Sequence, residues 1–287
     1  MHQHTTLIAD SGATTTDWVL LQSGETIHHF KTDGISPVFM SEEEIGHVIK
    51  EKVLSQTVQT PINNIRFYGT GCTPERADMV KKAIQHSYPT ANIIVFSDLI
   101  AAIHALSGNK PGIVAIIGTG SNSCQWDGEK ITKQVPALGF ILGDEGSGAA
   151  LGKKLLSNAL KNQLPPVLKE HLFKQYNLTQ DNIIESVYRQ PFPSRYLAGF
   201  TPFILDYISH STIKNIVTQS FQEFLQRNIK QYDYTNYKVN LVGSVAYHFS
   251  NQLKQAAEKE QIKIGKIIQS PISGLIEYYK TNDSLSH

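Results

Sequence analysis

Short apolar runs joined by glycine-containing turns open the chain, and the same pattern returns near its middle. Residues 5–33 predict three strands, because β-branched and aromatic residues form three runs separated by Ser-Gly turns. Two helix–strand pairs and a further helix follow, and Ser41 with Glu44 forms a capping box at the first helix start. The segment SGNKPG at 107–112 breaks the last of these helices.

The second half repeats the three strands at residues 112–135 and then departs from the first. The remaining predicted elements are a proline-broken helical stretch from about 147 to 231, a strand at 238–244, a helix, a strand at 263–269 and a terminal helix. We therefore predict an α/β protein with domains 1–110 and 111–287, and a helical insertion (about 147–235) in the second. The terminal helix could pack back on the first domain. Two similar α/β halves also predict a ligand cleft between them.

Composition narrows the class of protein. The chain has 287 residues, 40% of them hydrophobic, and a net charge of +1, so charge gives no case for nucleic acid or an anionic membrane surface. No apolar run approaches the roughly 20 residues that span a bilayer, and the N-terminus lacks a signal-peptide pattern. The two cysteines, Cys72 and Cys124, fit free thiols in a reducing cytoplasm. The histidines show no metal-ligand spacing.

Glycine and hydroxyl residues alternate in IGTGSN, residues 117–122, directly after an apolar run. Glycine allows close approach of the backbone, and exposed N–H and O–H donors suit an anion such as phosphate. Such a hairpin is more often only a turn. A second copy of the pattern at Asp10–Thr15, again followed by a strand with a tryptophan, favours a phosphate role.

Two aspartates follow predicted strands. Asp10 precedes a glycine hairpin, where a carboxylate could hold Mg²⁺ through water, although a plain turn aspartate is the commoner role. Asp98 follows an apolar run and precedes a helix, at the sheet edge where open α/β folds bind ligands. It could accept a proton from a substrate hydroxyl or cap the helix, and capping is the more frequent use.

Glycine-rich segments with polar residues mark two more candidates. Residues 143–148 (GDEGSG) carry two acids before a helix, which could cap the helix or accept hydrogen bonds from sugar hydroxyls. Gly243-Ser244 ends a strand before a helix. It could present backbone to a nucleotide base or ribose, or serve as an ordinary strand-to-helix turn.

These motifs together resemble the superfamily of sugar kinases, actin and heat-shock chaperone ATPases. Within it, the chain resembles the branch of N-acetylglucosamine kinases and of ATPases related to the benzoyl-CoA reductase and 2-hydroxyglutaryl-CoA dehydratase activators. The strongest matches are IGTGSN (117–122) and LGDEGSG (142–148). Supporting matches are IADSGATTTDW (8–18), FSDLIAA (96–102), RYLAGF (195–200) and LVGSVA (241–246).

The resemblance implies two ribonuclease-H-like domains, each a mixed five-stranded sheet with flanking helices, that bind ATP and Mg²⁺. It implies contacts to ATP from Thr14, Gly118, Thr119, Gly199, Gly243 and Ser244. It also implies Asp10 beside the metal and Asp98 as the base that faces the acceptor hydroxyl. The sugar would be held by Ser121, Asn122, Gly139 and Asp144.

Two segments that line the sugar pocket in the family diverge here, 34–38 (GISPV) and 137–140 (ALGF). The cysteines also lack the arrangement with which dehydratase activators bridge a dimer through an iron–sulfur cluster. We expect an ATP-dependent kinase for the 6-hydroxyl of an amino sugar, N-acetylglucosamine first and N-acetylmuramic acid next. A sugar-sensing module would carry an added helix-turn-helix segment, and none precedes residue 5. A partner-coupled ATPase stays open. The expected partner is a small sugar, without nucleic acid or membrane, and a homodimer stays open.

Overall fold

The computed structural model describes residues 4–12 and 15–283, which divide into two compact units. Unit 1 runs to Gly108 and resumes at Pro271, and unit 2 is Asn109–Ser270. The C-terminal helix thus belongs to the first unit, and the boundary lies close to the predicted residue 110.

Unit 1 is a five-stranded mixed sheet with helices on both faces. Its strands are β1 (Thr5–Ser11), β2 (Thr15–Gln22), β3 (Glu25–Asp33), β4 (Asn64–Gly69) and β5 (Asn92–Ser97), and its helices are α1 (Glu42–Val48), α2 (Ser55–Thr57), α3 (Pro74–Ser87), α4 (Asp98–Leu106) and the last helix of the chain, α14 (Ile272–Asp283). The strand order is β3-β2-β1-β4-β5, antiparallel from β3 to β1 and parallel from β1 to β5.

Alternating side chains of β1 and β2 form two cores in unit 1. Leu7 and Trp18 lie on the face covered by α1 and α3. Ile8 and Val19 lie on the opposite face, which packs on α4 and α14 through residues such as Leu275. Because both faces are covered, the strands are buried along most of their length.

Local sequence explains the helix starts of unit 1. Ser41 and Glu44 form the predicted capping box, and Pro74 occupies the first turn of α3, where its missing N–H is not needed. The first predicted helix, which starts at this capping box, is not regular, because a π-helical segment, Ile49–Leu54, separates α1 from α2. Residues on one side of the segment, Ile49 and Val53, are buried in the core below β1 and β2.

Unit 2 repeats the sheet and adds the helical insertion. Its strands are β6 (Gly112–Ile117), β7 (Ser121–Trp126), β8 (Ile131–Val135), β9 (Val239–Val242) and β10 (Ile264–Ile268). Its helices are α5 (Gly139–Leu142), α6 (Gly148–Leu160), α7 (Pro166–Gln175), α8 (Gln180–Tyr188), α9 (Pro193–Ala198), α10 (Thr201–Asp206), α11 (Ser211–Arg227), α12 (Ser244–His248) and α13 (Ser250–Lys259), with a 3₁₀ turn at Ile229–Gln231.

The second sheet has the order β10-β9-β6-β7-β8. Its strands are parallel from β10 to β6 and antiparallel from β6 to β8, so the pairing repeats that of the first sheet when one of the two orders is reversed. The insertion packs on one face of it through a large apolar cluster that includes Ile113, Leu155 and Phe221. Helices α6 and α9 approach closely at Gly152, where a Cβ atom would overlap the carbonyl oxygen of Leu197. The predicted fold class, two mixed five-stranded sheets with flanking helices, is confirmed.

Candidate functional site

Three adjacent parallel strands of unit 1 bring candidate groups to one sheet edge. Asp10 near the end of β1 lies opposite Tyr68 of β4, and Gly69 lies opposite Ser97 at the end of β5. Asp98 follows directly as the first residue of α4. Both aspartates therefore lie near the carboxyl ends of their strands, on either side of β4, which is the edge where such sheets bind ligands.

Asp98 does not cap α4. The cap is Ser97, whose hydroxyl accepts a hydrogen bond from the N–H of Ile100, so the capping alternative for Asp98 is wrong. The Asp98 carboxylate accepts a 3.1 Å hydrogen bond at Oδ2 from the hydroxyl of Thr70. Burial raises the pKa of Asp98, and hydrogen bonds from Thr70 and from the backbone of Leu99 partly oppose the rise. Asp98 is thus a shielded carboxylate whose pKa lies above that of a surface aspartate.

The turn that follows Asp10 is held by hydroxyl contacts. The Gly12 N–H donates to the carbonyl of Thr15, and the hydroxyls of Ser11 and Thr16 lie 2.7 Å apart. Thr14, a predicted phosphate contact, lies outside the described residues. In residues 4–12 and 15–283, no three His, Cys, Asp or Glu side chains form a group that could hold a metal ion. The role of Asp10 beside Mg²⁺ stays a prediction.

In unit 2, the hairpin between β6 and β7 is joined to the start of α6. The Gly118 N–H donates to the carbonyl of Gly120, and the first two N–H groups of α6 donate to the carbonyls of Gly118 and Thr119. The hydroxyl of Ser147 caps the helix by accepting from the N–H of Ala150. The two acids of the 143–148 loop therefore do not cap α6, and that alternative is wrong.

Asp144 turns toward the hairpin instead. Its Oδ1 accepts a 3.0 Å hydrogen bond from the backbone N–H of Ser121, and its backbone has a positive φ of 56°. Burial raises the pKa of Asp144 most, the neighbouring Glu145 raises it further, and the Ser121 N–H and Lys153 lower it. The structure thus joins the two motifs with the strongest resemblance through one carboxylate.

Glu145 fixes the same loop from the other side. Its carboxylate forms a 2.7 Å ion pair with Arg227 and accepts a hydrogen bond from the side chain of Asn228. Gly146, at φ 75°, packs so closely against Phe224 that a Cβ atom on Gly146 would lie 3.0 Å from the Cβ atom of Phe224. The end of α11 therefore anchors the loop that carries Asp144.

The other predicted sugar contacts occupy separate positions in unit 2. Ser121 and Asn122 are consecutive in β7, so their side chains lie on opposite faces of the sheet. The side-chain oxygen of Asn122 accepts from the Ser123 N–H and from Gln134. Gly139 begins the short helix α5 at φ 73°, an element that the sequence did not predict.

Two of the predicted nucleotide contacts, Gly243 and Ser244, lie beside the hairpin between β6 and β7. Gly243 has φ 126° and packs so closely on the end of β6 that a Cβ atom would overlap the carbonyl oxygen of Ile117. Ser244 is exposed at the start of α12, and Thr119 is exposed in the hairpin. Gly118, Thr119, Gly243 and Ser244 are thus neighbours in unit 2.

Gly199 follows the last residue of α9 and lies near the start of α6. The preceding residue, Ala198, packs against Gly148, the first residue of α6. Gly199 also lines a cavity of about 410 Å³ with the side chains Tyr176, Pro191, Phe192, Arg195, Tyr196 and Phe200. The cavity is mostly aromatic and carries one cation.

A solved structure from Porphyromonas gingivalis, described as a putative N-acetylglucosamine kinase, matches the chain at 41% identity with a TM-score of 0.93. The match covers 97% of this chain and 99% of that one. The chain belongs to this family of sugar kinases. The family is one of phosphotransferases.

More distant structures share the fold of this sugar kinase. A protein from Chromobacterium violaceum described as a putative N-acetylglucosamine kinase aligns at 16% identity and TM-score 0.74, over 96% of this chain and 99% of that one. A ROK family glucokinase from Streptomyces griseus, solved with glucose and AMPPNP, aligns at 12% identity and TM-score 0.56, over 96% and 97%. No protein-family model and no curated protein matches the chain.

Sequence reasoning missed two residues of the kinase that contact candidate groups. Thr70 lies in a second Gly-Thr-Gly turn, 69–71, besides the one at 118–120, and that repeated pattern was the available signal. Arg227, the partner of Glu145, gave no signal because it is 82 positions away in the chain (227 − 145). Among the described residues, no helix is long and apolar enough to cross a membrane.

Proposed function

We propose that this sugar kinase transfers the γ-phosphoryl group of ATP to the 6-hydroxyl of an amino sugar, with N-acetylglucosamine as the first choice. The observation that carries the proposal is the Asp98 carboxylate, shielded at the strand edge and held by Thr70. A base of this kind must be within reach of the hydroxyl and must be ionised when it accepts the proton. The name of the Porphyromonas gingivalis relative supports N-acetylglucosamine as the acceptor.

In the proposed reaction, Asp98 accepts the proton of the 6-hydroxyl as that oxygen forms a bond to the γ-phosphorus. The bond between the γ-phosphorus and its bridging oxygen breaks, which releases ADP and leaves the sugar 6-phosphate. Positioning and charge neutralisation supply most of the catalysis in such transfers. In unit 1, Asp10 would hold Mg²⁺ through water. The metal would supply neutralising charge to the phosphates.

Unit 2 would bind both substrates in this proposal. The exposed hairpin and the nearby backbone at Gly118, Thr119, Gly243 and Ser244 would contact ATP, with Gly199 and its cavity beside them. Asp144 would accept hydrogen bonds from sugar hydroxyls, since its Oδ1 is already held by Ser121 and its orientation is fixed. Gly139 and Asn122 would complete the sugar contacts. The two free, buried cysteines support our prediction of a reducing, cytoplasmic location.

The test is product analysis with ATP and a panel of sugars: N-acetylglucosamine, N-acetylmuramic acid, glucose and 6-deoxy-N-acetylglucosamine. Sugar phosphate and free phosphate are both measured, and NMR locates the phosphate on the product. We expect a 6-phosphate from N-acetylglucosamine and none from the 6-deoxy analogue. Release of free phosphate without sugar phosphate would favour the partner-coupled ATPase instead. Sugar binding without either product would favour a sensing module.

The Asp98→Asn variant tests the base separately. Sugar phosphate formation should fall by about 100-fold or more, the range for loss of a positioned base, while ATP affinity stays near that of the wild type. Asp78→Asn is the matched control, because Asp78 is an exposed carboxylate of unit 1 that pairs with Lys82. Full activity in a folded Asp98→Asn variant would remove Asp98 from the mechanism.

A further inference from the structure

Thr70 lies in the turn between β4 and α3, and its hydroxyl points to Asp98. We propose that Thr70 is a positioning residue that holds the Asp98 carboxylate in the orientation and ionisation state needed to accept the substrate proton. This inference rests on the proposed function and names a residue that neither the sequence motifs nor the comparisons assign.

Both backbone polar groups of Thr70, its N–H and its carbonyl, form hydrogen bonds. Its N–H donates a 3.0 Å hydrogen bond to the carbonyl of Ser11, the residue after Asp10. Its carbonyl accepts from the hydroxyl of Ser36 at 3.4 Å. Thr70 therefore connects the end of β1, next to Asp10, with the carboxylate of Asp98.

The glycines on either side of Thr70 keep the turn compact. A Cβ atom at Gly69 would lie 2.7 Å from the ring of Phe67 and 2.8 Å from the sulfur of Cys72. Gly71 has φ 80°, a conformation that glycine adopts without strain, and it packs on the side chain of Val38. The backbone of the turn therefore stays compact around Thr70, and the Thr70 hydroxyl donates to Asp98 from it.

The hydrogen bond from Thr70 stabilises the ionised form of Asp98, whereas burial stabilises the protonated form. The other groups that face Asp98 are the backbone N–H groups of Asp98 and Leu99, and the thiol of Cys72. Burial, with a smaller contribution from Asp98, raises the pKa of Cys72 to about 12, so the thiol is neutral near pH 7. Thr70 is thus the side chain in this group whose hydrogen bond favours the ionised form of Asp98.

The test compares Thr70→Val, which removes the donor at similar volume, with Thr70→Ser, which keeps it. In Thr70→Val we expect kcat/KM for the sugar to fall by about 10- to 100-fold, the range for a lost hydrogen bond to a charged group. The acid limb of its pH profile should move to higher pH, because the Asp98 pKa rises further. The KM for ATP should change little, and Thr70→Ser should restore most of the activity and the position of the limb.

Thr26→Val is the matched control, since Thr26 is exposed on β3 and the chemical change is the same. It should behave as the wild type. An unmoved acid limb in a folded Thr70→Val variant would overturn the positioning role even if kcat/KM fell. Should valine prevent folding, Thr70→Ala carries the same expectation.

A readout without catalysis separates this inference from the proposed function. The ¹³C shift of the Asp98 carboxyl carbon is titrated in wild type and in Thr70→Val, without ATP or sugar. A midpoint at higher pH in the variant supports the positioning role, and equal midpoints overturn it. If no sugar of the panel is phosphorylated, the proposed function fails, and this titration still decides whether Thr70 controls Asp98.

Discussion

The backbone N–H of Ser121 donates a 3.0 Å hydrogen bond to Oδ1 of Asp144, which joins the glycine hairpin to the loop before α6. Gly120 lies beside that carboxylate, and a Cβ atom there would lie 3.0 Å from Oδ2. The hairpin and the loop therefore form one local structure. Its geometry depends both on the hydrogen bond and on glycine, which has no side chain, at position 120.

Gly120→Ala should displace the Asp144 carboxylate. We expect a loss of about 1–2 kcal/mol in the free energy of unfolding, typical of overpacking, and a raised KM for the sugar. Gly118→Ala is the control for stability, because a Cβ atom there meets nothing within 4 Å. Urea unfolding should show Gly118→Ala at or slightly above the wild type. Equal stability of both variants would contradict the close contact between Gly120 and Asp144.

Arg227→Met should loosen the loop by removing the partner of Glu145. The Glu145 side chain is 11% exposed and the Arg227 side chain 64%, so we expect a loss of about 1 kcal/mol, below that for a fully buried pair. Arg189→Met is the control, because its pair with Glu185 is exposed on both sides at 3.4 Å. Thermal unfolding should show a lower Tm for Arg227→Met only. A shift of the same size in Arg189→Met would mean that the Glu145 pair is no stronger than a surface pair.

His104 should make the protein acid-sensitive. Its Nδ1 lies 2.7 Å from the hydroxyl of Tyr68, its ring stacks on Tyr278, and burial lowers its pKa to about 4. An unfolded histidine has a pKa of about 6.5, so the unfolded chain binds more protons between these values. The contribution of neutral His104 to the free energy of unfolding is therefore complete above about pH 6.5 and is lost as the pH falls toward 4.

Replacing the ring by a neutral amide tests this. His104→Gln should lose less stability than the wild type between pH 6.5 and 4 in urea unfolding, whatever its stability at neutral pH. His86→Gln is the control, since His86 is exposed on α3. Parallel pH curves for His104→Gln and wild type would show that His104 does not bind protons differently in the folded state.

Asp98→Asn should raise stability while it removes activity. Because the folded-state pKa of Asp98 is raised, ionising the carboxyl costs folding free energy as the pH rises above about 3.9, the ordinary value. The cost is complete above the raised pKa. The variant should therefore match the wild type near pH 3 and exceed its Tm at pH 7, as expected where function needs a destabilising group. A lower Tm at pH 7 would indicate that the charge of Asp98 stabilises the fold.

Most elements of both sheets could be predicted from sequence, because the two sets of strands are short apolar runs bounded by glycine turns. The capping box at Ser41 is a local signal and was also predicted correctly. Whether Asp98 or the acids in 143–148 cap a helix was harder to predict. A nearby serine caps the helix in each case, Ser97 for α4 and Ser147 for α6, and the choice depends on backbone geometry that composition does not reveal.

Local patterns of apolar runs and glycine turns were enough to predict the α/β fold, the glycine hairpins and the position of Asp98 after a strand. The contacts from Thr70 to Asp98, from Ser121 to Asp144 and from Arg227 to Glu145 became visible only in the folded protein. These contacts join segments that are far apart in the chain. Their geometry comes from the strand register and helix packing of the folded protein, and no local pattern carries that information.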